Sequence, residues 1–172
     1  LNKRYPNRFQ CAEVHYLWAL ADAQVARGES KAAYDTYAGI IGECAAGHDR
    51  LVTLYKAERV LPLQRQLQLV AIEDERSRPK SVDAEYQTLR YRLYLAAATQ
   101  KDFDAAGAFE YLSEVENQVV ERRDAAAARL LAWNSQARDD ASTARMWFER
   151  AATISDFCVG DDVVDVSDDV NA

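Results

Sequence analysis

A three-point spacing that recurs along the chain places the strongest limit on its fold. A leucine is followed eight positions later by a residue that starts a turn, and five positions after that by an alanine. The three sets are Leu20, Gly28 and Ala33; Leu93, Lys101 and Ala106; and Leu131, Asp139 and Ala144. A small alanine next to a short link lets two helices approach closely, and recurrence of such a unit is typical of repeated helical hairpins.

The intervals between the three turns predict four hairpins. The turns start 73 and then 38 residues apart, so the first interval leaves room for one degenerate copy. We expect hairpins at about residues 9–46, 49–78, 82–122 and 124–155, within one repeat domain over 1–159. Segment 49–78 contains Pro62, so it forms either two helices or one kinked helix. The aspartate-rich residues 160–172 are expected to form a flexible acidic tail, and the whole is expected to be a piece of a longer protein.

Composition narrows both the fold class and the range of partners. Only three prolines and six glycines interrupt a chain that is 49% hydrophobic, which favours an all-α fold. The net charge of −7 argues against nucleic acid as a partner, because such binding relies on lysine and arginine to displace counterions from phosphates. No apolar run reaches the ~18 to 20 residues that span a bilayer, so we expect no membrane insertion by this segment.

The repeated segments resemble the tetratricopeptide repeat family. The resemblance rests on Leu20, Ala21, Gly28, Ala33 and Tyr37 in the first copy, on Leu93, Phe103 and Ala106 in a later one, and on Leu131, Ala132, Ala144, Phe148 and Ala151 in the last. It implies antiparallel helix pairs that stack into a right-handed solenoid, with the first helices lining a groove that binds a protein or peptide.

A second resemblance concerns the last copy. Ala144-x2-Trp147-Phe148-x2-Ala151, preceded by Leu130-x2-Trp133, is similar to periplasmic repeats of bacterial outer-membrane proteins that export exopolysaccharide or adsorb phage. This resemblance implies a non-catalytic scaffold within a larger envelope protein in the periplasm. The alternative is a cytoplasmic regulatory or sensor domain that binds a peptide or small ligand. A helical bundle that only mimics the repeat would have no groove.

The helical wheel selects the residues that would line such a groove. At about 100° per residue, one face of each first helix points away from the stripe that contains the leucine of the recurring spacing. Aromatic and arginine side chains on that face are typical contributors to binding energy. The alternative is that the rings pack between adjacent repeats. The candidate groove residues are His15, Trp18, Asp22, Tyr91, Leu95, Arg129 and Trp133.

Two cysteine–histidine pairs allow a metal or disulfide interpretation. Cys11 and His15, and Cys44 and His48, have the i, i+4 spacing that could complete a tetrahedral zinc site. Cys44, however, falls on the buried stripe of its helix, which argues against zinc; a Cys11–Cys44 disulfide is the other possibility. We find no phosphate loop or nucleophile motif, so we expect neither catalysis nor a cofactor or metal.

Overall fold

The protein is described by a computed structural model that covers residues 13–44, 46–77, 83–100 and 105–159, with side chains omitted at 105–110 and 156–159. These ranges contain eight α-helices and no strand, which confirms the all-α prediction. The predictions about Cys11, Lys101, the side chain of Ala106 and the tail 160–172 lie outside the described part. The helices are α1 (Val14–Ala26), α2 (Ser30–Glu43), α3 (Gly47–Val60), α4 (Leu63–Arg76), α5 (Ala84–Thr99), α6 (Ala105–Glu121), α7 (Ala125–Ala137) and α8 (Ala141–Val159).

The middle segment forms two helices rather than one kinked helix. α3 ends at Val60, and both Leu61 and Pro62 have extended backbone angles before α4 begins. Proline has no N–H to donate and restricts the residue before it to extended angles, so the helix cannot continue through this dipeptide. α3 and α4 contact each other, which shows that the chain folds back at this point.

The two repeated turns that lie within the described residues share one hydrogen-bonding pattern. Gly28 and Asp139 both have positive φ, at 77° and 61°. The N–H of the residue that follows each of them bonds to a carbonyl five residues back, from Glu29 to Gln24 and from Asp140 to Ser135. This is the Schellman ending of a helix, which needs a left-handed residue at its centre. At these two described positions, the recurring turn residue is therefore the one that reverses the chain.

Residues in the first part of the chain, Leu1–Ala96, form one compact unit, called unit 1 here. α2 is its central helix, because it contacts α1, α3 and α4. Its residues 36–41 are all buried, as expected for a helix that is covered on every side. The predicted packing alanines Ala21 and Ala33 are fully buried, whereas Leu20 is only half-buried.

Charged side chains link the helices of unit 1. Glu73 of α4 is buried and accepts from the Nε of Arg50 at 2.8 Å and from its Nη2 at 3.3 Å, so that the two groups form a bidentate pair. Ser77 donates to the same carboxylate at 2.6 Å, and Arg50 donates to the Cys44 carbonyl at the end of α2. A buried charge must be paired in this way to be tolerated, so this pair fixes α3, α4 and the end of α2 together.

Residues Ala97–Ala172 form unit 2, in which α7 packs extensively against α8 and also contacts α6. Ala132 and Ala144, the packing alanines of this pair, are buried, as the sequence predicts. Asp140 accepts from the backbone N–H of Thr143 at 3.0 Å and caps α8. Hydrogen bonding by the Thr143 side chain, together with this backbone N–H, holds the pKa of Asp140 below its usual range. Asp140 is thus the N-cap residue of α8.

Candidate functional site

Trp18, a predicted groove residue, is part of the core of unit 1. Its side chain is 8% exposed and lies in a cluster with Val14, Leu17, Ile40 and Cys44. The indole Nε1 donates to the Thr53 hydroxyl of α3 at 2.8 Å, and that hydroxyl donates to the Asp49 carbonyl at 2.6 Å. The expected outward orientation of Trp18 is therefore wrong: α3 covers this face of α1, and the ring packs between the two helices.

His15 and Asp22 lie on either side of Trp18 along α1 and are exposed. The His15 ring meets the Trp18 ring edge-on, with centroids 4.9 Å apart. Asp22 pairs with Lys56 of α3 at 3.2 Å and accepts a long hydrogen bond of 3.4 Å from the Tyr37 hydroxyl. Burial, together with the Asp22 charge, raises the pKa of Tyr37 to about 12. Three of the predicted residues thus come together, but in a contact between α1 and α3.

The two candidates on α5 are less accessible than predicted. Tyr91 is 5% exposed, so the prediction that it points outward is also wrong. Leu95 is half-buried. A further polar cluster in this region ties α5 to α4: the Arg90 Nε and the Tyr86 hydroxyl both bind the Asp74 carboxylate, at 2.9 and 2.6 Å. Burial, followed by the bond to Asp74, raises the pKa of Tyr86. The polar side chains of α5 in this region therefore hold α5 against α4.

The remaining candidates, Arg129 and Trp133, are exposed as predicted, and they lie on one face of α7. We call this the α7 outer face; it is a single helical stripe whose members are all exposed, namely Ala126, Arg129, Leu130, Trp133 and Ala137. Trp133 is 57% exposed and Leu130 is 39% exposed. Large apolar side chains placed together on a surface are typical of interaction sites. The opposite side of α7 buries Ala127, Ala128, Leu131 and Ala132 against the rest of unit 2.

Charge on the α7 outer face is confined to Arg129. The sequence of α7, AAAARLLAWNSQA, contains no carboxylate, and Arg129 is its only charged residue. Within the described residues, Arg129 makes no hydrogen bond or ion pair. Leu130 was not among the predicted groove residues, although its i, i+3 spacing to Trp133 could have indicated that the two share a face. The surface thus combines an aromatic ring, a leucine and an unpaired cation.

Unit 2 also contains a cleft that the sequence analysis did not predict. Val120, Met146, Glu149, Arg150, Thr153 and Ile154 line a cleft of about 410 Å³ beside α6 and α8. Its charged groups are already engaged: Glu149 pairs with Arg145 at 2.9 Å, and the Arg150 guanidinium lies 4.7 Å from the Trp147 ring centroid. The sequence signal is the Val119–Val120 pair, because a helix that is covered on one face only cannot bury two adjacent residues; Val119 is buried and Val120 is 48% exposed. The cleft therefore has an apolar lining, and its two charged side chains already have partners within the protein.

The cysteine and histidine pattern does not form a zinc site around Cys44. Cys44 is fully buried and is disulfide-bonded, so it has no thiolate to offer a metal. Its partner is a cysteine whose side chain lies outside the described part, and the proposed bond to Cys11 stays a prediction. His48 is exposed. No group of three or more acidic, cysteine or histidine side chains in the described ranges is arranged to hold a metal ion.

Comparison with known proteins finds no matching family model, no matching curated protein and no matching solved structure. Both family resemblances therefore stay predictions from the sequence. Among the described helices, none combines the length and the apolar character that crossing a bilayer requires.

Proposed function

We propose that this chain is a non-catalytic helical-repeat scaffold that binds a protein or peptide partner through the α7 outer face. The observation that carries the proposal is the 57% exposure of Trp133 beside Leu130 and Arg129. Burying such a tryptophan against a partner removes a large apolar area from water, and tryptophan and arginine are the residue types enriched at energetically dominant contacts.

The finer architecture is also a proposal: consecutive helix pairs stack as tetratricopeptide-like hairpins in a right-handed solenoid. Two features support it. The turns at Gly28 and Asp139 share the same reversal geometry, and the alanines predicted to lie at close helix approaches, such as Ala33 and Ala144, are buried. A stacked array of this kind leaves one side of its first helices available for a partner.

Polar groups inside unit 1 support a structural rather than a catalytic use. Glu73 and Asp74 are adjacent acids on α4, yet each is held by arginine from another helix. The Trp18 indole likewise donates to the Thr53 hydroxyl, and that hydroxyl donates to a backbone carbonyl. Pairs of this kind hold neighbouring helices in place, which is the use that a scaffold requires.

We further propose that the chain works in an oxidising compartment, as a periplasmic part of an envelope protein involved in exopolysaccharide export. The export context comes from the sequence resemblance. The compartment is supported by the disulfide bond of Cys44, since such bonds persist in the periplasm and are rare in the cytosol. Trapping free thiols in denaturant at the moment of lysis tests this proposal, because the buried Cys44 then becomes accessible to the reagent. Labelling of Cys44 only after reduction supports the proposal, and complete labelling without reduction would favour the cytoplasmic alternative.

The binding proposal is tested with the full chain and two exposed aromatic residues. Trp133→Ala removes the ring on the α7 outer face, whereas Tyr16→Ala is a matched control because Tyr16 is 67% exposed but lies on α1. A partner captured from the source cells would be identified by mass spectrometry, purified and titrated calorimetrically. We expect Trp133→Ala to weaken binding at least tenfold and Tyr16→Ala to leave it unchanged. Equal affinities for all three proteins would refute the assignment of the face.

A further inference from the structure

The same register position has different surroundings in α1 and in α7. Counting from the repeated leucine, Arg129 of α7 corresponds to Trp18 of α1, and Trp133 corresponds to Asp22. In α1, α3 covers this face, so that Trp18 is buried and Asp22 is paired with Lys56. In α7 both positions are exposed. Two positions that have partners within the protein in α1 are thus occupied in α7 by an exposed arginine and an exposed tryptophan.

The charge on this face indicates what it would accept. Three other exposed arginines have a carboxylate close by: Arg27 binds Glu29 at 2.9 Å, Arg92 binds Glu58 at 2.6 Å, and Arg145 binds Glu149 at 2.9 Å. Among the described residues, Arg59 and Arg138 are exposed and have no such pair, but neither lies one helical turn from an exposed tryptophan, as Arg129 does. Arg129 has no such group among the described residues, although the chain as a whole carries an excess of acids. Its neighbours one turn away on α7 are alanines and Trp133, so the helix itself supplies no acid.

We infer that the α7 outer face binds an acidic peptide segment, whose side-chain carboxylate pairs with Arg129 while a neighbouring apolar side chain packs on Leu130 and Trp133. Arg129 and Trp133 are one helical turn apart, about 6 Å along the axis, which two residues of an extended peptide span. Planar guanidinium groups bind carboxylates bidentately, and an adjoining apolar contact removes water from the pair. This inference rests on the proposed function and names the chemistry of its partner.

The test uses a display library of random 12-residue peptides selected on the immobilised full chain, with far-UV circular dichroism to verify the fold of each variant. We expect the selected peptides to be enriched in Asp or Glu within a few residues of a large apolar side chain. Arg129→Ala and Trp133→Ala should each weaken binding of a selected peptide at least tenfold. Arg129→Lys should retain part of the affinity, and Tyr16→Ala should retain all of it.

Other outcomes overturn the inference in distinguishable ways. Peptides that need Trp133 but carry no acid would refute the role of Arg129 and leave the scaffold proposal standing. Polygalacturonate, a polymer of sugar carboxylates, serves as a second probe; Arg129-dependent binding of it without any acidic peptide would assign the face to carbohydrate instead. Failure to select any peptide that depends on Trp133 would refute the inference, while the purified-partner titration decides separately whether the scaffold proposal fails.

Discussion

Replacing each of two tryptophans by alanine should separate a packing role from a surface role. Trp18→Ala replaces a buried ring by a methyl group and removes roughly 150 Å² of apolar burial, which at about 25 cal/mol per Å² costs ~4 kcal/mol. The hydrogen bond from the indole to Thr53 adds about 1 kcal/mol, with no buried donor left unpaired, because the Thr53 hydroxyl still donates to the Asp49 carbonyl. Incomplete burial and partial relaxation bring the expected loss in unfolding free energy to about 3 to 5 kcal/mol.

Trp133→Ala provides the contrast. Its ring is mostly in water, and alanine has a higher helix propensity than tryptophan, so the unfolding free energy should change by less than about 0.5 kcal/mol. Urea unfolding followed by circular dichroism at 222 nm measures both variants without relying on tryptophan fluorescence. If the two units unfold in separate transitions, Trp18→Ala should shift only that of unit 1. Trp18→Phe, which keeps most of the apolar volume, should recover more than half of the loss. A loss below about 1.5 kcal/mol for Trp18→Ala, or equal losses at both sites, would refute the assignment of Trp18 to the core.

Three further predictions concern charge, backbone and pH, and urea unfolding measures each of them. Glu73→Ala leaves a buried arginine without its partner and should cost about 3 kcal/mol, whereas Glu149→Ala, which breaks an exposed pair, should cost under about 0.5 kcal/mol; similar costs would contradict the buried pair. Gly28→Ala should cost about 1 kcal/mol because alanine is strained at positive φ, and Asp139→Gly should gain up to ~1 kcal/mol for the same reason; the opposite signs would refute the turn geometry. Since the folded pKa of Tyr37 is raised to about 12, its contribution to stability is complete below pH 10 and falls as pH rises towards 12; Tyr37→Phe should make this fall shallower, and an unchanged profile would contradict the shift.

Local features of the chain were predictable because they depend on nearby residues. A helix that ends in a Schellman turn needs a residue that tolerates positive φ, so Gly28 and Asp139 mark chain reversals without reference to the rest of the fold. The missing N–H of Pro62 likewise indicates a disturbance at that position, although it does not decide between two helices and one kinked helix. The burial of Ala33 and Ala144 follows from their place beside those turns.

The surroundings of the candidate groove residues were less predictable, because the helical wheel gives a direction and not a neighbour. Trp18 lies about 100° around α1 from Leu17, and α3 covers that direction and supplies Thr53 as a hydrogen-bond acceptor. α3 belongs to the degenerate segment, where the repeat pattern gives no register from which to anticipate that contact. The bidentate pair of Arg50 and Glu73 is similarly hidden, since 23 residues separate its members and no local spacing connects them.

This difference decides how binding data on the predicted residues must be interpreted. Substitutions of Trp18 or Tyr91 remove core packing, so a loss of binding would follow from loss of structure and would imitate a contact. Arg129 and Trp133 lack this ambiguity because their side chains are exposed on a helix whose opposite side carries the packing. The two classes can be separated within one experiment: a core variant should lose stability and binding together, in proportion, whereas an α7 outer-face variant should lose binding at constant stability. The α7 outer face is therefore where a change in affinity can be attributed to a contact with the partner.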